Sequence, residues 1–289
     1  MLAARLHGRE DSVLDDIGWV LWSATIGLES PIAARVEAAQ AAGCTRVSVS
    51  APDVARLAEQ GMAPEELGRR LRDAGLEIVM DPVMNWYGGT PFPGPFAEMT
   101  FDDELRICEA LPVVSMTAIG PFRPDEVPAD DLPELFGNFC DRAADLGAQV
   151  QYEFMPISAI TDLAAAWAIV EAADRPNGGI MFDTWHFFRS GADFATLEEV
   201  SGERVFAVQV SDAAAEVRGS LNEDTLNRLL PGDGSFDLPR VLGVLDRKRC
   251  LRWVGAEVLS PVTKAMAPSD AARLATGRVR DLIARVRSS

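Results

Sequence analysis

Short β-branched, aromatic and aliphatic runs alternate along the chain with Ala-, Leu- and Arg-rich segments of helical period, from Ile17 almost to the C-terminus. The pattern predicts strands at Ile17 to Ser23, Arg46 to Ser50, Glu77 to Pro82, Val113 to Ala118, Gln149 to Phe154, Gly179 to Asp183, Val205 to Val210 and Leu251 to Glu257. A helix-like stretch follows each. The punctuation agrees with this: Ser30 before Pro31 is expected to open a helix that Gly43 closes, and Gly75 and Gly147 stand where a helix must give way to a strand. Thr161 and Asp162 can cap the run LAAAWAIVEAA, with Pro176, Asn177 and Gly178 ending it.

Eight βα units in 289 residues, with no linker and no break in composition, predict an α/β fold, a single closed (β/α)8 TIM barrel over residues 17–289 behind a leader of residues 1–16. The competing architecture is a doubly wound open sheet. Its usual companion, a Gly-rich phosphate turn after the first strand, is missing from Ser23-Ala24-Thr25-Ile26-Gly27.

One connection stands apart. Asn85 to Met99, NWYGGTPFPGPFAEM, combines three Gly and three Pro with Trp86, Tyr87, Phe92 and Phe96. It reads either as a packed surface loop or as an aromatic lid over the C-terminal rim, where barrel enzymes build their sites. In the lid reading Trp86 is a substrate-binding candidate.

Composition narrows the partners. Lys plus Arg number 27 and Asp plus Glu 44, a net charge of −17, which repels phosphate backbones and anionic lipid. Neither nucleic acid nor membrane is an expected partner. Cys44, Cys108, Cys140 and Cys250 are widely spaced and read as buried thiols rather than zinc ligands. The N-terminus lacks a signal-like apolar stretch, so the expected compartment is the cytoplasm. The composition is compatible with a homo-oligomer.

In a barrel, polar groups at strand C-termini point into the mouth. Four successive predicted strands carry a cation-binding side chain at that level: Glu153 in QYEFMP, Asp183 in IMFDTWH, Gln209 in VFAVQVSD and Glu257 in WVGAEV. A carboxylate among Val, Phe and Trp must be neutralised, hydrogen-bonded or bound to a cation, because desolvating an unpaired ion costs several kcal/mol or more. Three carboxylates and a carboxamide make an all-oxygen set for one divalent ion, with Mn2+ or Mg2+ favoured over Zn2+. Taken singly, each of these residues reads more readily as a helix cap, a salt-bridge partner or a satisfied core amide; together they read as a metal site. His186 follows Asp183 by three residues and is either a core imidazole or a substrate-binding group. Arg228, ahead of the Pro231-Gly232-Asp233-Gly234 turn, is either a surface ion pair or an oxyanion-binding group over the mouth. Asp212 and Arg218 lie in the same stretch.

Glu153-Phe-Met-Pro, Asp183-Thr-Trp-His186, Val208-Gln209-Val-Ser-Asp212, Arg228-x-x-Pro-Gly-x-Gly and Gly255-Ala-Glu257 resemble, in order and spacing, the sugar phosphate isomerase/epimerase family of xylose isomerase-like barrels. The resemblance implies that Glu153, Asp183, Gln209 and Glu257 hold one divalent metal and that Glu153 and Glu257 are the acid/base pair. His186 and Arg228, from their own placement, are the substrate-binding candidates beside these. The seventh-strand ligand is His in ketose 3-epimerases; Gln209 is similar to the hydroxypyruvate isomerase branch. Two histidines and a charge of −17 do not suit the DNA-cleaving endonuclease IV branch. The additional Glu of the ketose epimerases is replaced here by Pro156-Ile-Ser-Ala159, which weakens a free-sugar epimerase, and the aromatic connection after the third strand, poor in polar residues, suggests a substrate less hydroxylated than a hexose.

The expected activity is therefore metal-dependent isomerisation or epimerisation of a small hydroxy-carbonyl, sugar-like compound by proton transfer through an enediolate. The alternative is a lyase resembling the family's inosose and dehydroshikimate dehydratases. A ligand-binding barrel without turnover would have no need of two opposed glutamates.

Overall fold

The computed structural model describes residues 13–88 and 91–289. Eight parallel strands close in sequence order into a barrel: β1 (Gly18–Leu21), β2 (Arg46–Val49), β3 (Glu77–Val83), β4 (Val113–Ile119), β5 (Gln149–Glu153), β6 (Gly178–Asp183), β7 (Val205–Val210) and β8 (Trp253–Ala256), which pairs with β1. Every predicted strand is present, with ends shifted by one or two residues. Strands wrapped by helices are buried on both faces, which is why β6 and β7 read as continuous apolar runs without alternation.

Polar side chains pointing into the barrel pair with one another. Gln151 donates to the Thr117 hydroxyl across the β4/β5 register at 3.1 Å. Outside the barrel, the 20-residue helix Pro268–Arg287 packs on the helix Ile32–Ala42 and closes the ring of helices. All four cysteines are free and buried.

Some punctuation differs from expectation. Ser30 does not cap the first long helix: Pro31 takes the cap position and the Ser30 hydroxyl donates to the Ile26 carbonyl at 2.7 Å. Gly43 does close that helix, at φ +66°. Asp162 caps Leu163–Ala173 by accepting from the Ala165 N–H at 2.9 Å, but the helix ends at a left-handed Asp174 and Gly178 already belongs to β6. Of the expected leader, residues 1–12 lie outside the described residues; beyond them, Leu14 is buried in the core and Asp16 pairs with Arg287.

Candidate active site

Strand register brings the four candidate ligands to one level. Asp183 and Gln209 are direct partners across β6 and β7, Gln209 faces Gly255 on β8, and Glu153 ends β5 beside Met181 of β6. Glu257 comes immediately after β8, where its N–H donates to the Val210 carbonyl at 3.1 Å. All four side chains are buried.

Asp183 also starts a helix. Its Oδ1 accepts the His186 N–H at 3.0 Å, capping Thr184–Arg189 and fixing the first turn. That turn carries the imidazole back over the barrel, with His186 Nε2 3.4 Å from Glu153 Oε1. Ligand atoms of Glu153, Asp183 and His186 lie within 4.8 Å of one another.

Arg228 enters from the β7 loop. The Asp212 carboxylate gathers the N–H groups of Ala213, Gly232 and Phe236 at 2.9, 3.1 and 3.0 Å, and Asp212 and Leu229 exchange backbone hydrogen bonds. Gly234 has to be glycine for this turn to close, since a Cβ there would stand 2.2 Å from Asp212 Oδ1. So braced, Arg228 is buried and donates from Nη1 to Asp183 Oδ2 at 2.7 Å and to Glu257 Oε2 at 2.8 Å. Of the two readings of Arg228, the surface ion pair does not hold: this guanidinium is a buried counter-charge inside the site.

These contacts drive the two carboxyls apart. Burial alone would raise Asp183, but Arg228, His186 and hydrogen bonds from Glu257 and the His186 backbone outweigh it and hold it below the ordinary carboxylate range. Burial lifts Glu257 well above that range; Arg228 opposes this, while Asp183, Glu153 and Asp81 reinforce it. Adjacent carboxyls with opposed proton affinities are the usual arrangement for acid/base work.

The donor set suits a hard cation. Gln209 donates from Nε2 to Glu257 Oε1 at 3.1 Å, which leaves its buried Oε1 without a hydrogen-bond partner among the described residues and free to accept a cation. The further donors available are Glu153 and Asp183, grouped with His186 within 4.8 Å, and Glu257, which the Gln209 amide holds.

Above the floor opens a cavity of about 270 Å³ lined by Glu153, His186, Arg228 and Glu257, and also by Asp81 at the end of β3. Asp81 was not among the expected site residues, although a carboxylate closing the apolar strand EIVMDPV meets the same criterion as the others. Burial, together with Glu153, pushes its carboxyl up to about 8, against a hydrogen bond from Thr117. The structure does not bring Trp86 to the site. Its indole N–H donates to the Ile119 carbonyl at 2.8 Å and its ring is buried among Tyr87, Phe136, Phe139 and Tyr152. Satisfied and enclosed, it serves the core. Arg218 is likewise absent from the cavity lining; its backbone N–H donates to Asp224. The loop itself is organised by Asn85, which donates to the carbonyls of Phe96 and Met99, and it contributes Phe92 and Phe96 to the cavity wall.

The sequence of residues 36–278 matches the family model described as "Xylose isomerase-like TIM barrel". The chain belongs to this family. Among curated relatives of this xylose isomerase-like barrel is a 3-dehydroshikimate dehydratase of Pseudomonas aeruginosa, 29% identical over 224 residues. That match covers 74% of this chain but only 34% of the relative, so the barrel spans about a third of that protein's length. An inosose isomerase of Bacillus velezensis is 25% identical over 56% of this chain and 59% of its own. Among solved structures, the IOLI protein with a bound zinc atom superposes with a TM-score of 0.80 at 17% identity, over 93% of this chain and 99% of that one, which bears on the fold alone. No helix among the described residues is long and apolar enough to cross a membrane.

Proposed function

We propose that this xylose isomerase-like barrel is a divalent-metal-dependent isomerase or epimerase of a small hydroxy-carbonyl compound. The observation that carries the reading is that Glu153 and Glu257, on strands three apart in the barrel, line one cavity and belong to one buried polar network with Asp183, Gln209, His186 and Arg228. Glu153, Asp183, Gln209 and Glu257 are the ligands in this reading, and a bound Mn2+ or Mg2+ would supply Lewis-acid polarisation of a substrate carbonyl.

The chain's own groups carry the proton. One glutamate removes the hydrogen next to the carbonyl, and the other delivers a proton to the neighbouring carbon or to the opposite face. The first course is an isomerisation, the second an epimerisation. Glu153 and Glu257 reach the one cavity from strands three apart, so that one can take the proton and the other return it. His186 lines the cavity where the negative oxygen develops, and Arg228, engaged by Asp183 and Glu257, adds positive charge beside it.

A second reading, elimination of a β-hydroxyl, is favoured by Asp81. Its raised carboxyl faces the same cavity and could protonate a leaving hydroxyl. The dehydratase relative supports it.

One experiment separates the readings. The Mn2+-loaded protein is incubated in deuterated water with ketoses, hydroxy-oxo acids and cyclic ketones and followed by mass spectrometry and ultraviolet absorbance. Deuterium incorporation at unchanged carbon skeleton and without loss of water supports isomerisation or epimerisation; a new conjugated chromophore with loss of water supports the lyase. No exchange with any of them, in protein shown to hold Mn2+, counts against both.

A further inference from the structure

The cavity is lopsided, polar on its floor and apolar on the facing wall. His186, Arg228 and Glu257 follow β6 to β8 and, with Asp81 of β3 and Glu153 of β5, make the polar floor, whereas the facing wall comes from the remaining lining residues at the ends of β3, β4 and β5 and in the loops after them. That wall is Met84, Phe92, Phe96, Ile119, Phe122 and Met155, an apolar cluster of its own, separate from the core beneath the helices. Phe92 and Phe122 pack with their rings tilted by 41° and centroids 5.1 Å apart, and Phe122 and Ile157 remain half-buried at the rim. Next to Leu28 and Leu259 a second cavity of about 290 Å³ continues outward, bordered by the exposed Leu226.

Two consequences follow for any ligand whose reacting end sits on the polar floor. Hydroxyls turned toward the phenyl and thioether wall would give up hydrogen bonds to water without replacement. A carboxylate or phosphate substituent would find no free counter-charge in the first cavity, and Lys264 of the second is paired with Glu29. Arg228 is the only Lys or Arg among the described residues lining the first, and its Nη1 is already shared between Asp183 and Glu257. An uncharged apolar group, by contrast, exchanges contact with water for contact with this wall.

We infer that the substrate is a hydroxy-carbonyl compound whose remainder is an uncharged aryl or alkyl group seated against the Phe92, Phe96, Phe122 and Met155 wall, and not a polyhydroxylated or anionic sugar. This deepens the functional reading above and rests on it.

The test uses simple hydroxamates as oxygen-pair probes, titrated calorimetrically into the Mn2+-loaded protein. Acetohydroxamate carries the head alone, benzohydroxamate adds a phenyl group, and 4-carboxybenzohydroxamate adds a charge to that. The expected result is that benzohydroxamate binds about tenfold or more tightly than acetohydroxamate, as burial of a phenyl group requires, and that the carboxylated probe loses most of this gain. Phe122→Ser and Ile157→Asn, at half-buried rim positions, should each shrink the ratio. A ratio near one, a carboxylated probe that equals or exceeds benzohydroxamate, or a ratio that survives in both folded variants overturns the inference. Mn2+ resonance spectra on the same samples keep the two failures apart: bound Mn2+ without phenyl preference sinks the inference alone, whereas unbound Mn2+ sinks the metal reading and the inference with it.

Discussion

Arg228 reaches Asp183 with Nη1 2.7 Å from Oδ2, at a depth where the two side chains are 2% and 0% exposed. The same nitrogen serves Glu257, so one guanidinium offsets two carboxyls. Removing one partner of a buried ion pair costs ~3–5 kcal/mol, because the other charge remains. Arg228→Gln should therefore lower the stability of metal-free protein by about that much in chemical denaturation, and Mn2+ should restore more stability to the variant than to the parent. Equal losses with and without Mn2+ would show that the ion and the guanidinium do not act on the same carboxylates.

Glu257 gives the metal reading a pH dependence. Its carboxyl lies well above the usual range through burial, with Asp183, Glu153 and Asp81 adding to the shift against Arg228. A cation can bind its carboxylate only after the proton leaves, so Mn2+ affinity should rise with pH and level off once Glu257 is ionised. Calorimetry in buffers of differing ionisation enthalpy should show about one proton released per ion, and clearly less in Glu257→Gln.

Away from the site, Glu104 is buried on the helix Phe101–Glu109 and burial pushes its carboxyl up to about 7, with the backbone N–H groups of Asn85 and Met84 acting against the shift. A carboxyl raised in the folded state contributes stability that is complete below its unfolded pKa near 4.5 and is lost as pH rises toward and through 7. The loss amounts to ~3 kcal/mol over that window. Glu104→Gln should flatten this part of the stability profile, with the variant gaining on the parent at pH 8 and not at pH 4. Parallel profiles for the two proteins would contradict the assignment.

The turn that braces Arg228 makes a steric prediction. Alanine at Gly234 would place Cβ 2.2 Å from Asp212 Oδ1 and 2.4 Å from the Ala213 carbonyl oxygen. Gly234→Ala should destabilise by ~1–3 kcal/mol. At Gly277, within the helix Pro268–Arg287, a Cβ meets nothing within 4 Å, and alanine there should stabilise by ~0.5–1 kcal/mol. Thermal unfolding of the two variants beside the parent measures both signs.

The barrel was legible in the sequence because parallel strands wrapped by helices must be apolar throughout, and runs such as VFAVQV carry that signature with a single polar residue, Gln209, at the mouth. Glu153, Asp183 and Glu257 stood out for the same reason. Asp81 met the same criterion, but Pro82 beside it gives the end of β3 the look of a turn. Trp86 shows the converse limit: composition marks an aromatic loop, yet whether an indole faces the mouth or the core depends on which acceptor its N–H finds, here the Ile119 carbonyl of β4. Arg228 was visible as a candidate, but its double pairing depends on the meeting of strands 6 and 8 with the β7 loop, which no local pattern encodes. The apolar wall likewise draws its residues from three separate βα connections.

The most direct test of the central claim is an anomalous difference map from crystals grown with MnCl2. The account predicts one strong peak in contact with the side-chain oxygens of Glu153, Asp183, Gln209 and Glu257, and its disappearance in Asp183→Ala. A map without a peak there, or with one bound elsewhere while Arg228 still bridges Asp183 and Glu257, would contradict it.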